Sequence, residues 1–204
     1  MLLKKKVSGS SGFRSVGYAT SFALLVGFVV IFFSSCSGTA DQQPTTSTVR
    51  RVVKIEASLA REYHSIAALK RDSSLIIRAV VLSQKTVVTN QHQVWTVSTV
   101  SVERVLLGNV AVKTTLGIKQ LGGTANGVQY VFDEFPLLSI GAHYWVFLTP
   151  SEEPGVFYPV GAYQGVFFID TNNTVSALTT IPGGAGVQIH QLTESQFIRD
   201  TQAA

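Results

Sequence analysis

The side chains best suited to metal ligation or proton transfer in this chain are four histidines, His64, His92, His143 and His190. They fall in separate segments and form no HxH, HExxH or CxxC pattern, so no metal-ligand spacing is present. Glu62 and His64 are two residues apart, which on a helix turns them about 200° from one another. Asp133-Glu134 is an adjacent carboxylate pair, but neighbours on an extended segment point to opposite sides, and a solvated loop explains them. No serine occupies a GxSxG elbow. Gly122-Gly123 and Gly183-Gly184-Ala185-Gly186 match neither GxGxxG nor a phosphate loop, and turns account for both. The residues therefore nominate no catalytic base, no metal ligand and no cofactor site. Two features remain. One is a candidate ligand surface made of Trp95 with Tyr163 and Gln164, the latter two expected to project from a turn between Gly161 and Gly165. The other is a single cysteine, Cys36.

Positioning Trp95 falls to the stretch Gln93 to Gly108, QVWTVSTVSVERVLLG, the longest apolar/polar alternation in the chain. A period of two puts Thr96, Ser98, Val100 and Val102 on one face of a strand. Trp95, Val97, Thr99, Ser101 and Glu103 take the other. Val100 and Val102 are expected in a core, with Val146 and Leu148, while Glu103 and Lys119 are expected in solvent. The alternative for Trp95 is burial beneath an N-terminal helix. Val105-Leu106-Leu107 breaks the alternation, as a bulge or strand end does, before the turn residues Gly108-Asn109.

The remaining elements follow in order. Apolar residues at helical spacing predict a helix from about Ser58 to Lys70, and the β-branched VVKI segment before it weakens any earlier start. Leu75–Leu82 reads as a strand, and a polar loop with Asn90-Gln91-His92 leads into the organising strand. Lys113–Leu121 and His143–Leu148 read as further strands, separated by a looser region with Gly127 and Pro136. Val156–Ile169 reads as two short strands and Val175–Leu178 as another, with Thr193–Arg199 a short closing helix. The fold class is mainly β: a small OB-like Greek-key barrel of five to seven strands with an N-terminal helix and a short C-terminal helix.

Charge bears on partners. Four of the 16 Lys and Arg lie in residues 1–35 and none of the 12 Asp and Glu does, so residues 36–204 carry 12 of each. A domain with no cationic surplus does not suit nucleic acid, whose binding rests on neutralising phosphates. The basic leader, Lys4–Lys6 and Arg14, precedes an apolar run of about 16 residues, Tyr18 to Phe33, shorter than the roughly 20 needed for a bilayer span. After it comes Ser34-Ser35-Cys36-Ser37-Gly38.

Phe33-Ser34-Ser35-Cys36 resembles the lipobox of bacterial lipoproteins, with Phe33 standing where Leu is commoner. The resemblance implies a signal peptide over 1–35, cleaved before Cys36, and acyl lipid attached to Cys36. It implies a protein held on the extracytoplasmic side of a cell membrane through that anchor. A lone thiol in an exported chain can form no internal disulfide, which leaves it free for this use. The alternative is an incidental cysteine at the end of an uncleaved signal anchor. Residues 36–48, small and polar, read as a flexible tether, and 49–204 as a single barrel domain.

The succession SLIIRAVV, VSVERVLLG, IKQLGG, YWVFL and GAYQGVFFI, over Leu75 to Ile169, also looks like many uncharacterised bacterial exported proteins. More distantly it is similar to the OB-like barrel of netrin modules and tissue inhibitors of metalloproteinases. Those inhibitors chelate the protease zinc through a free N-terminal cysteine and are pinned by disulfides. A single acylated, tethered cysteine cannot do either, so that activity does not carry over. The expectation is a lipid-anchored binding or interaction module without catalysis, taking an unknown protein or small-molecule ligand. The alternatives are a cell-surface hydrolase without a recognisable motif and an accessory subunit of a membrane complex.

Overall fold

Two fourteen-residue strands, β2 (Leu75–Val88) and β3 (Val94–Leu107), form the antiparallel hairpin on which the domain is built. The coordinates are a computed structural model that describes residues 51–55, 60–132, 135–178, 187, 189 and 191–204. Cys36, the leader, the tether, Asp133-Glu134, His190 and Gly183–Gly186 lie outside the described residues. The faces of β3 fall as the alternation requires. Thr96, Ser98, Val100 and Val102 are buried, and Trp95, Val97, Thr99, Ser101 and Glu103 are partly exposed. The break in the alternation is a bulge. Ile76 pairs with Leu107 and Ile77 with Val105, which leaves Leu106 as the extra residue.

Three more strands close the barrel: β4 (Thr115–Leu121), β7 (His143–Pro150) and β8 (Val156–Pro159). The order around it is β2-β3-β4-β8-β7, returning from β7 to β2. The β4–β8 pair is parallel and the other four are antiparallel, which is the OB-type Greek-key arrangement. The barrel interior is filled by aliphatic side chains, among them Ile77, Ala79, Val81, Val100, Val102, Ile118, Val146 and Leu148. Val100, Val102, Val146 and Leu148 are thus core residues, as expected.

Among the described residues six further strands, none longer than four residues, lie outside this ring. β9 (Val166–Ile169), β10 (Thr174–Ala177) and β11 (Leu192–Thr193) extend the sheet beyond β7. β1 (Arg51–Lys54), β5 (Gly123–Ala125) and β6 (Val128–Val131) make a separate sheet in the order β1-β6-β5. Extended backbone suits Val52 and Val53, which lose rotamer freedom in a helix.

The N-terminal helix is shorter than the spacing predicts. α1 runs only from Ile66 to Arg71, and residues 60–65 are not helical. Ser65 is its N-cap, accepting from the Ala68 amide at 3.2 Å. The preceding Tyr63 N–H is committed instead to the Gln164 side chain, at 2.8 Å. The closing helix α2 spans Glu194–Ala203, with Thr193 and Gln196 forming a capping box. α1 and α2 cover a second core on the outer side of the sheet, where Leu69, Ile76, Trp145, Phe147, Phe167 and Phe197 are fully buried.

Candidate functional site

Trp95 is the outward residue at the start of β3, and the pairing with β4 puts Leu121 opposite it and Lys119 opposite Val97. Across the parallel seam Tyr158 of β8 closes on the same face. The Trp95 and Tyr158 rings are 5.8 Å apart and inclined at 55°. The Lys119 ammonium lies over both rings, 5.5 Å from the Trp95 ring centre and 5.9 Å from that of Tyr158. Both are within cation–π reach. Glu153, on the turn from β7 to β8, accepts a hydrogen bond from Lys119 Nζ at 2.6 Å.

Lys119 was expected in solvent, and the structure corrects this: the residue is 9% exposed. Its place on the outward face is as the alternation requires, since Ile118 and Gln120 beside it point elsewhere. The outer face is covered here, so the aliphatic stem runs against aromatic rings rather than into water. The hydrogen bond from Glu153 holds the ammonium above its ordinary pKa, outweighing burial, which acts the other way. Burial likewise pushes the Tyr158 hydroxyl up, helped by its bond to Glu152 at 3.2 Å.

The facing wall comes from residues with no periodic signal. Gly161, at φ 62°, opens a 3₁₀ turn, Ala162–Gly165. A Cβ on Gly161 would meet the Tyr63 ring at 2.7 Å, and one on Gly165 would meet the Val160 carbonyl oxygen at 2.4 Å. Both glycines are needed to fold the turn back on the domain. Tyr163 and Gln164 are therefore buried, each 4% exposed, and do not project as expected. Gln164 is a clasp: it accepts from the Tyr63 amide and donates to the carbonyls of Arg61 and Gly161, both at 3.1 Å. Tyr163 stacks edge-on against Phe135, ring centres 5.0 Å apart, and Phe135 against Phe132 at 6.0 Å.

These two walls enclose a cleft of about 400 Å³, lined by Trp95, Lys119, Tyr158, Phe132, Phe135 and Tyr163 together with the 60–63 segment. Such a volume lies at the lower end of small-molecule sites. Tyr63 is fixed in the rim by its hydroxyl bond to Asp72 at 2.8 Å, and Arg61 lies 5.0 Å over its ring while pairing with the same carboxylate. Burial, then that hydrogen bond, raises the Tyr63 pKa. Of the three residues expected as a ligand surface, the structure brings Trp95 and Tyr163 to one cleft and sets Gln164 behind it as support. Lys119, Tyr158, Phe135 and Tyr63 escaped sequence reasoning. Only the outward parity of Lys119 with Trp95 could have signalled them.

The three histidines among the described residues stay apart. His64 and His92 are exposed, His92 in the β2–β3 turn. His143 Nδ1 lies 3.0 Å from Glu103 Oε2, and Arg78 bonds the same oxygen at 2.9 Å and Glu194 at 2.6 Å. Glu103 was expected in solvent and instead anchors this network, which ties the barrel to α2. Arg78 pairs with Arg104 and Ala79 with Val102, so Glu103 is the extra residue of a β-bulge. Burial alone would lower the Arg78 pKa, but the bonds to Glu194 and Glu103 raise it. Among the described residues no three His, Cys, Asp or Glu side chains converge as a metal site needs, and no helix is long and apolar enough to cross a membrane. No protein-family model matches this chain, and no curated protein matches it either.

Proposed function

We propose that the chain is a lipid-anchored extracytoplasmic binding module that takes a small ligand with an aromatic ring in the aromatic cleft. The observation that carries this reading is the cleft itself. Six aromatic side chains from four separate parts of the chain converge on one hollow of small-molecule size. It sits on the outer face of the second and third barrel strands, where OB-type barrels commonly hold ligands. The polar groups around it are mutually paired, Lys119 with Glu153 and Arg61 with Asp72. They orient and support rather than offer an uncommitted base, so binding without catalysis is the function they suit.

The test is saturation-transfer NMR with 2-naphthalenemethanol as a neutral ring probe. Wild type is expected to transfer magnetisation to the naphthalene protons, and Trp95→Ala to lose most of that signal. Transfer surviving in Trp95→Ala would place the ring elsewhere and end this reading.

Anchoring rests on the sequence alone, on the basic leader, the apolar run Tyr18 to Phe33 and the lone Cys36 behind it, and has its own check. The mature protein is expected to begin at Cys36, to carry acyl mass there, and to partition with membranes. Cys36→Ala should accumulate as an unlipidated precursor. An intact mass of wild type that retains residues 1–35 would remove the lipid anchor from the proposal.

A further inference from the structure

Lys119 makes the cleft asymmetric in charge. Its ammonium lines the hollow with its side chain only 10% exposed, and its counter-ion Glu153 has a side chain that is 56% exposed. A buried ammonium stripped of its partner is costly, whereas a carboxylate already half in water gives up little on returning to it. The Glu153 carboxylate is therefore the exchangeable member of the pair. The backbone of its turn is held independently, through the Ser151 hydroxyl and the Val156 amide.

Ligand charge follows from this. A cationic ligand finds the Trp95 and Tyr158 rings already facing an ammonium. A neutral ligand that moved Glu153 aside would leave that ammonium uncompensated. An anion supplies the missing charge. We infer that the cleft selects a small aromatic carboxylate, whose ring lies among Trp95, Tyr158 and Phe135 and whose carboxylate replaces Glu153 on Lys119 Nζ. Glu153 is then a tethered surrogate for the ligand's own acid group, and it sets the affinity by competing. This inference rests on the binding reading above and adds the ligand's charge and the residue that reads it.

The experiment compares 2-naphthoate with 2-naphthalenemethanol, titrated against wild type, Glu153→Gln, Lys119→Met and Trp95→Ala. A hydrogen bond to a charged group is worth about 1.5–3 kcal/mol, but in wild type Glu153 already makes that bond and must be displaced, so wild type is expected to prefer the acid only modestly. Glu153→Gln, which removes the competitor from an exposed turn, should tighten naphthoate about tenfold and leave the alcohol unchanged, in line with the same strength of bond. Lys119→Met should abolish any preference for the acid over the alcohol. Equal, Trp95-dependent binding of acid and alcohol in Glu153→Gln would overturn the charge assignment and leave the binding module standing. Naphthoate affinity unchanged in Glu153→Gln would overturn the competition. Absence of Trp95-dependent binding by either probe would remove the binding reading itself.

Discussion

Val102→Asp is expected to abolish the folded state of the domain. Val102 is 1% exposed, pairs with Ala79 across the β2–β3 hairpin and faces the barrel interior beside Val100 and Val146. The substitution removes a buried side chain that contributes about 1.5–3 kcal/mol. It also leaves a carboxylate among aliphatic groups with no partner, at a cost of several kcal/mol more. Domains of this size have roughly 5–15 kcal/mol in total, so the sum reaches the whole. Ser101→Asp, on the other face of the same strand, is the control and should melt close to wild type. Circular dichroism melts of the three proteins decide it. A Val102→Asp transition near that of wild type would mean that the strand's register is not the one described.

Phe197→Ala should be the most damaging change in the second core. The ring is fully buried, with centres 5.1 Å from Phe167, 5.7 Å from Trp145 and 6.3 Å from Phe147. Truncating a buried Phe costs about 3–5 kcal/mol, because the hollow left behind collapses only in part. α2 spans only ten residues and could not persist without packing, so losing its one fully buried aromatic removes most of its reason to dock. Urea unfolding should show a midpoint lowered by the equivalent of that range. A loss below about 1 kcal/mol would show that the sheet holds its aromatics without the helix.

Legibility followed the range of the interaction. The alternation of β3 was readable because one buried face imposes a period of two on consecutive residues, and the break at Leu106 was readable because a bulge interrupts that period. β2 was read as ending at Leu82, where its apolar run stops, yet it continues to Val88. Past the barrel neither face is buried, so hydrogen bonding to β3 sustains the strand without an apolar pattern. β1 hid within a helical spacing because its partner β6 lies far along the chain. The candidate site was half legible for the same reason. Trp95 announced itself by parity, but what covers Lys119 is decided by Tyr158 and Glu153, and neither leaves a trace near Lys119. The two glycines around Tyr163 and Gln164 were visible. That they turn the pair inward depends on Tyr63 and Arg61, a hundred residues earlier.

The overhanging end of β2 also bears on whether copies of this protein stay apart. Past Val81 no strand among the described residues pairs with the side of β2 facing away from β3. That open edge carries exposed Leu82, Val87 and Val88. Unpaired amides beside apolar side chains are a template for a second chain, and edges of this kind seed sheet-to-sheet aggregation. Two features blunt it. Val81 pairs with Val100 and Ser83 with Thr99, so Leu82 is an extra residue that bends the edge where a flat partner would lie. Exposed Lys85 stands in the middle of the overhang. Two copies aligned antiparallel about that point would bring their Lys85 ammonium groups face to face, and the repulsion opposes that pairing.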